Sequence, residues 1–169
     1  MTRKIAIVGP ESSGKTTLAR DLAAALGCDW VPEYVREYFA AKGNSDYVLD
    51  DIVAIAHGQR AVEQGALPDQ DWLVCDTNGL VCKIWAEVRF GHCPQEITAQ
   101  WPAHDYALHV LVAPDIPWEP DPLRENPTDR DWLFGLYEAA LIEAGVKYVV
   151  VRGGREQRVA AVLAALATV

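Results

Sequence analysis

Eight residues near the start of the chain, Gly9–Thr16, carry the pattern G-x-x-x-x-G-K-[ST] in full. Glycines in this arrangement let the backbone curl until successive N–H groups face one anion, and a helix that follows adds its positive end. Lys15 is placed to reach the β- and γ-phosphates of a nucleotide, and the Thr16 hydroxyl to bind magnesium. Glu11, Ser12, Ser13, Gly14 and Thr17 complete the cradle. An apolar run, Ile5–Val8, precedes the loop and an amphipathic pattern follows it, so the strand and helix that this chemistry needs are both present. ATP with Mg2+ is the ligand implied. The pattern identifies the nucleotide and leaves the reaction open.

Asp76 closes a second apolar run, Trp72–Cys75, and is the acid expected to hold the metal directly or through water. Its other use would be as a charge at the start of a helix over 77–90. Thr77 and Asn78 follow it, so the water-activating glutamate of many dedicated ATPases is missing. No N/T-K-x-D segment for guanine is present, nor the H-R-D and D-F-G of protein kinases. Glu33 stands just beyond a weaker strand, at the sheet end where open α/β folds gather ligands. It is the candidate general base for a substrate hydroxyl. Arg36 is a candidate for holding substrate or phosphate, and a solvated helix start is the plainer use of both.

Residues 113–131 differ in composition, with four prolines between 114 and 122 (Pro114, Pro117, Pro120 and Pro122) that exclude a regular helix or central strand there. The stretch reads as a lid. Its Arg124 and Arg130 would neutralise charge on a transferring phosphoryl group while water is excluded, or would pair with Glu119, Glu125 or Asp129. Thr128 and Asp131 have the spacing of a capping box that opens the next helix. Gly153, Gly154 and Arg155 form a loop that either lies against an adenine or is a plain strand-to-helix turn.

Positioning these residues requires a sheet with covered faces. Ile5–Val8, Trp72–Cys75, Leu108–Val112 and Tyr148–Val151 are apolar throughout, and Asp29–Val31 is a weaker strand. Leu18, Leu22, Ala25 and Leu26 share one helical face, as do Val159, Val162, Leu163 and Leu166, and 47–64 and 77–90 also read as helices. The expected fold is α/β: a parallel five-stranded sheet flanked by helices in a three-layer sandwich, one domain over 1–169 with a short lid at 113–131. With 169 residues, half of them hydrophobic, a sizeable core is available.

A net charge of −9 without a Lys/Arg cluster argues against nucleic acid as the main partner, while leaving room for a local basic phosphate pocket. No apolar run is long enough for a signal peptide or a membrane span, so a cytoplasmic protein is expected. The four cysteines lack C-x-x-C spacing; Cys28 and Cys75 read as buried free thiols. His92 and Cys93 have no matching pair for a zinc site. Homo-oligomerisation is left open.

Taken in order, the phosphate loop, Glu33-Tyr34-x-Arg36-Glu37, Asp76-Thr77, and Pro114 to Trp118 leading to Leu123-Arg124 resemble the ribosylnicotinamide kinase domain of the NadR family, an AAA-like small-molecule kinase of the P-loop NTPase fold. The resemblance covers essentially the whole chain. It implies ATP-dependent phosphorylation of nicotinamide riboside to nicotinamide mononucleotide, a salvage route to NAD. By the same resemblance Asp76 would serve the metal and the ribose 5′-hydroxyl, Glu33 would hold or deprotonate that ribose, and the lid arginines would clamp phosphates. A flat pyridinium cation calls for aromatic faces; Tyr34, Trp85 and Trp118 are the candidates, and core packing explains each equally. Gln59 is a candidate reader of the carboxamide, with a surface position as its plainer use, and Asn78 joins the substrate group. NadR proteins carry an adenylyltransferase domain before the kinase, whereas this chain begins at the first strand and is expected to stop at the mononucleotide. Pro32 stands where some relatives have an aromatic residue, which leaves the stacking partner open. A kinase for another nucleoside or small molecule, or a regulatory ATPase, is the alternative.

Overall fold

The computed structural model describes residues 1–66, 69–116, 121, 123 and 128–169. Trp118 and Arg124, two of the candidate site residues, lie outside the described residues. Five strands form one parallel sheet: β1 (Arg3–Val8), β2 (Asp29–Val31), β3 (Trp72–Asp76), β4 (Tyr106–Val112) and β5 (Tyr148–Val151). Their order is β2-β3-β1-β4-β5, with all four pairings parallel, as the apolar runs predict. The helices are α1 (Lys15–Leu26), α2 (Tyr34–Lys42), α3 (Leu49–Gln64), α4 (Gly79–Phe90), the short α5 (Gln95–Thr98), α6 (Arg130–Ala144) and α7 (Arg155–Leu166).

The sheet is buried on both faces because successive side chains point to opposite sides. Ile5 and Ile7 of β1 pack with Leu18 and Leu22 of α1 and Val162 of α7. Ala6 and Val8, one residue out of phase, pack on the other face with Leu80 and Ile84 of α4 and Leu133, Tyr137 and Leu141 of α6. A third cluster joins Phe39 of α2 to Ile52 and Ile55 of α3 and Cys82 of α4. Each fully buried Leu or Ile contributes about 1.5–3 kcal/mol.

Some local expectations give way to packing. Ala25 is exposed, and Ala19 and Ala23 take its place on the buried face of α1; Leu163 of α7 also faces outward. All four cysteines are free, but Cys28 is only half-buried. The capping box predicted from Thr128 and Asp131 is absent. α6 begins at Arg130 after Asp129, whose side chain makes no cap, and the Arg130 guanidinium is held by the carbonyls of Ser12 and Ile116. Tertiary bonds fix the helix start in place of a local cap.

A polar seam joins α3 to the sheet. The Tyr106 hydroxyl lies 2.7 and 2.9 Å from the two carboxylate oxygens of buried Glu63, and Lys4 Nζ stands 3.5 Å away. Burial pushes the Glu63 carboxyl above its ordinary range against the pull of Tyr106 and Lys4. One turn earlier on the same face of α3 lies Gln59, so this seam sets the height of a residue at the functional end. Among the described residues no helix is long and apolar enough to cross a membrane.

α4 starts where Gly79 presses on the chain before β4. A Cβ there would lie 2.4 Å from the Gln100 carbonyl oxygen and 3.0 Å from Trp101 Cβ. Gly79→Ala is expected to lower stability by about 1–3 kcal/mol by overpacking. Urea unfolding reads this as a lower midpoint at constant slope; an unchanged midpoint contradicts the close approach.

Candidate active site

The loop between β1 and α1 is strained in the way an anion cradle requires. Ser12 has φ +56 and Gly14, the residue before α1, has φ +89. Such angles turn consecutive N–H groups to one side. The Ser13 hydroxyl donates to the Pro10 carbonyl at 2.6 Å and closes the loop on itself. Lys15 curls over it, its ammonium 2.9 Å from the carbonyls of both Gly9 and Pro10. Glu11, Ser12, Ser13, Gly14, Lys15, Thr16 and Thr17 all line one cavity of 280 Å³, so the predicted cradle is brought together complete.

Asp76 is delivered to the loop by strand register. Ile7 of β1 lies opposite Asp76 of β3, so the carboxylate arrives level with the end of β1. The Thr16 hydroxyl donates to Asp76 Oδ2 at 2.7 Å. The residue is 1% exposed, and among the described residues Oδ1 has no hydrogen-bond partner. Burial, with the neighbouring Glu33 charge adding, pushes Asp76 up to about 6 against the lowering effect of Thr16, Lys15 and Arg36. An orphaned carboxylate oxygen beside a hydroxyl fits a hard cation. One carboxylate, one hydroxyl and a phosphate-binding loop are donors of the kind that Mg2+ takes, so the residues present fit that ion. Asp76 does not cap α4; Asn78 does, accepting from Leu80 N. Thr77, between them, takes φ +73, an unusual angle for a β-branched residue, at the turn that separates Asp76 from α4.

Glu33 precedes α2 and makes no cap bond to it. The first N–H of that helix is satisfied instead by Gln59 Oε1 of α3, 2.8 Å from Tyr34 N. This division of labour leaves the Glu33 carboxylate facing the cavity, where its charge acts on Asp76. Gln59 is 2% exposed, so its plainer surface use is overturned. Its Nε2 is buried with no partner among the described residues, and the side chain lines the cavity. Beyond the loop the cavity continues between Phe39, Ile55, Val81, Trp85, Leu133 and Tyr137, an apolar chamber with an aromatic wall. Trp85 is held by Tyr47, its Nε1 donating to the hydroxyl at 3.1 Å with the rings edge to face.

Other candidates fall elsewhere. Tyr34 is not in the wall of this cavity: its ring lies over Gly58 of α3 and borders a neighbouring recess with Trp30, Glu33 and Asp76. Asn78 reaches the cavity, but its amide is committed, to Leu80 N and to buried His109, 3.2 Å away. Arg36 lines the cavity and pairs with Asp121 of the proline-rich excursion at 2.9 Å, an exposed pair worth under about 1 kcal/mol. Arg130 sits behind the loop, on Ser12 and Ile116 carbonyls, and not in the cavity wall. Gly154 opens α7, its N–H taken by Gln157, and Arg155 makes a bidentate surface pair with Asp21 of α1. Neither lines the cavity. Two residues escaped sequence reasoning. Arg89 borders the cavity from the last turn of α4, and Arg158 lies buried behind the loop. A lone arginine in a helical pattern gave no signal for either.

The AAA domain family model matches residues 4–158. The trifunctional NAD biosynthesis/regulator protein NadR of Salmonella typhimurium (strain LT2) is 28% identical over 163 residues, 89% of this chain and 38% of that protein. The chain therefore spans well under half the length of this curated relative. A NadR protein solved in complex with NR shares the fold at a TM-score of 0.74 and 23% identity, over 95% of this chain and 48% of that one. Deoxyadenosine kinase from M. mycoides shares it at 0.71 and 15%, over 98% of this chain and 100% of that one.

The folded protein binds the Asp76 proton more tightly than the unfolded chain, where an aspartate titrates near 3.8. The contribution of Asp76 to stability therefore falls as pH rises from about 4 to about 6, and is constant above. Asp76→Asn is expected to raise stability at pH 8 by about 1–3 kcal/mol and to leave it nearly unchanged at pH 3. Urea unfolding at both pH values checks this, and an equal effect at each contradicts a buried, poorly paired charge.

Proposed function

The chain belongs to this AAA domain family, and on that premise we propose that it is an ATP- and magnesium-dependent kinase acting on the ribose hydroxyl of nicotinamide riboside. The product is nicotinamide mononucleotide, a precursor of NAD. The observation that carries the reading is the pair of carboxylates at the mouth of the phosphate loop. Asp76 is buried against Thr16, and Glu33, free of its helix, lines the cavity with Thr16 and the neighbouring recess with Asp76. One acid suits the metal and the other a proton leaving a hydroxyl, which is the division that phosphoryl transfer to an alcohol needs. Lys15 holds the transferring phosphate, and Thr16 and Asp76 hold Mg2+. Glu33 takes the proton of the acceptor hydroxyl as it attacks the γ-phosphorus and ADP departs.

The acceptor is supported by the chamber and by the relatives. A flat cationic ring gains from the Trp85 face and from the buried amide of Gln59, whose free N–H group matches a carboxamide oxygen. The excursion over 113–131 is the proposed lid over a single domain, 1–169, working in the cytoplasm. Arg36, tied to Asp121, is the link by which substrate-side contacts reach it. An ordinary nucleoside is the competing acceptor, since deoxyadenosine kinase matches the chain end to end in fold.

The test is ADP release by the purified protein with MgATP, alone and with nicotinamide riboside or a panel of nucleosides. Stimulation by nicotinamide riboside, with mononucleotide formed in equal amount, is expected. Stimulation by another nucleoside alone discards the acceptor, and turnover indifferent to every acceptor points to a regulatory ATPase. Glu33→Gln should lower kcat about 100- to 10,000-fold with little change in the KM for ATP. A kcat within threefold of the parent removes Glu33 as the base.

A further inference from the structure

In an anion-binding loop the N–H groups face inward, so the carbonyls face the protein behind and need donors there. At Ser12 and Ser13 those donors are arginines distant in sequence. Arg130 Nη1 donates to Ser12 O at 3.1 Å and to Ile116 O at 2.8 Å. Arg158, on the first turn of α7 and 4% exposed, uses its whole fork. Nη1 donates to the Ser13 carbonyl, Nη2 to the Ala113 carbonyl at 3.2 Å and to the Asp115 carboxylate, and Nε to the Gly153 carbonyl at 3.0 Å. The guanidinium packs directly on the loop. A Cβ at Gly14 would lie 2.9 Å from Nη1, so the closeness depends on that glycine.

We infer that Arg158 is a positioning residue for the triphosphate. The Ser13 carbonyl and the Gly14 N–H belong to one planar trans peptide and point in opposite directions. Holding the carbonyl from behind therefore aims the N–H at the phosphates, and a full positive charge stands beneath the loop. Asp115 sets the fork in this orientation. Its other oxygen accepts the Gly153 N–H at 2.7 Å, so the same ion pair ties the loop after β5 to the start of the proline-rich excursion. The inference rests on the loop as a triphosphate site and is independent of which acceptor is phosphorylated.

The test is the affinity of the full chain for MgAMP-PNP and MgGMP-PNP by calorimetry, with urea unfolding measured without nucleotide. Arg158→Gln is expected to weaken both nucleotides about 10- to 100-fold, equally, because the effect falls on phosphate and not on base. Arg158→Lys should not restore affinity, since an ammonium cannot span four acceptors at once. A purely structural role would lower stability and leave the affinity of the folded protein unchanged. Folded Arg158→Gln with affinity within twofold of the parent overturns the inference, as does full rescue by lysine. If Arg158→Gln does not fold, Asp115→Asn is read instead. It should weaken both nucleotides several-fold, and unchanged affinity overturns the inference equally. A parent protein that binds neither nucleotide removes the kinase reading itself, whereas failure to phosphorylate any nucleoside leaves Arg158 untouched.

Discussion

The Asp76 carboxylate sits where burial opposes its charge. One oxygen accepts from Thr16, the other has no partner among the described residues, and the group is pushed up to about 6. A hydrophobic residue there would be easier to fold around. The surrounding structure accommodates the cost because β3 is an internal strand, bonded to β1 on one side and β2 on the other, so its end is held from both sides. An orphaned carboxylate oxygen beside a hydroxyl is a donor pair that fits a hard cation. The positive φ of Thr77 is part of the same arrangement: it turns the chain sharply so that Asn78, one residue later, can begin α4.

Around that carboxylate the helices share their polar duties unusually. α2 does not use Glu33 as its cap, because Gln59 of α3 reaches across to the first N–H. Gln59 can do so because Glu63, four residues on, is moored to Tyr106 and Lys4 of the sheet. A buried amide and a buried carboxyl on one face of a helix would each be costly alone. Together they fix the height of α3, and the gain appears at the other end as a carboxylate free to face the cavity. The phosphate loop follows the same logic, with Arg130 and Arg158 satisfying its outward carbonyls.

Much of the fold is visible in the chain. Apolar runs without alternation mean strands covered on both sides, and four of the five strands follow from them directly. The cradle is also visible, since its eight residues are contiguous and its shape comes from their own backbone. The rest of the site is partly visible. Asp76 and Glu33 stand out in the chain because each ends or follows a strand. Arg155 and Arg130 attracted notice as cations in loops, yet both are spent on other groups. Thr128 and Asp131 have the spacing of a cap, but α6 starts two residues past Thr128 under the hold of Arg130.

What the sequence determined by itself is whatever short-range geometry and two-sided burial impose: the phosphate loop, the parallel sheet, and the acid at the end of β3. What only the tertiary structure decided is how each polar group is used. Arg158 meets the Ser13 carbonyl across 145 residues, and Thr16 meets Asp76 across 60. A donor does not declare its acceptor in the linear chain. Gln59, Arg89 and Arg158 look alike on a helical wheel, as polar residues on a helix. Packing alone settles that one is buried as a cap, one borders the cavity, and one holds the phosphate loop from behind.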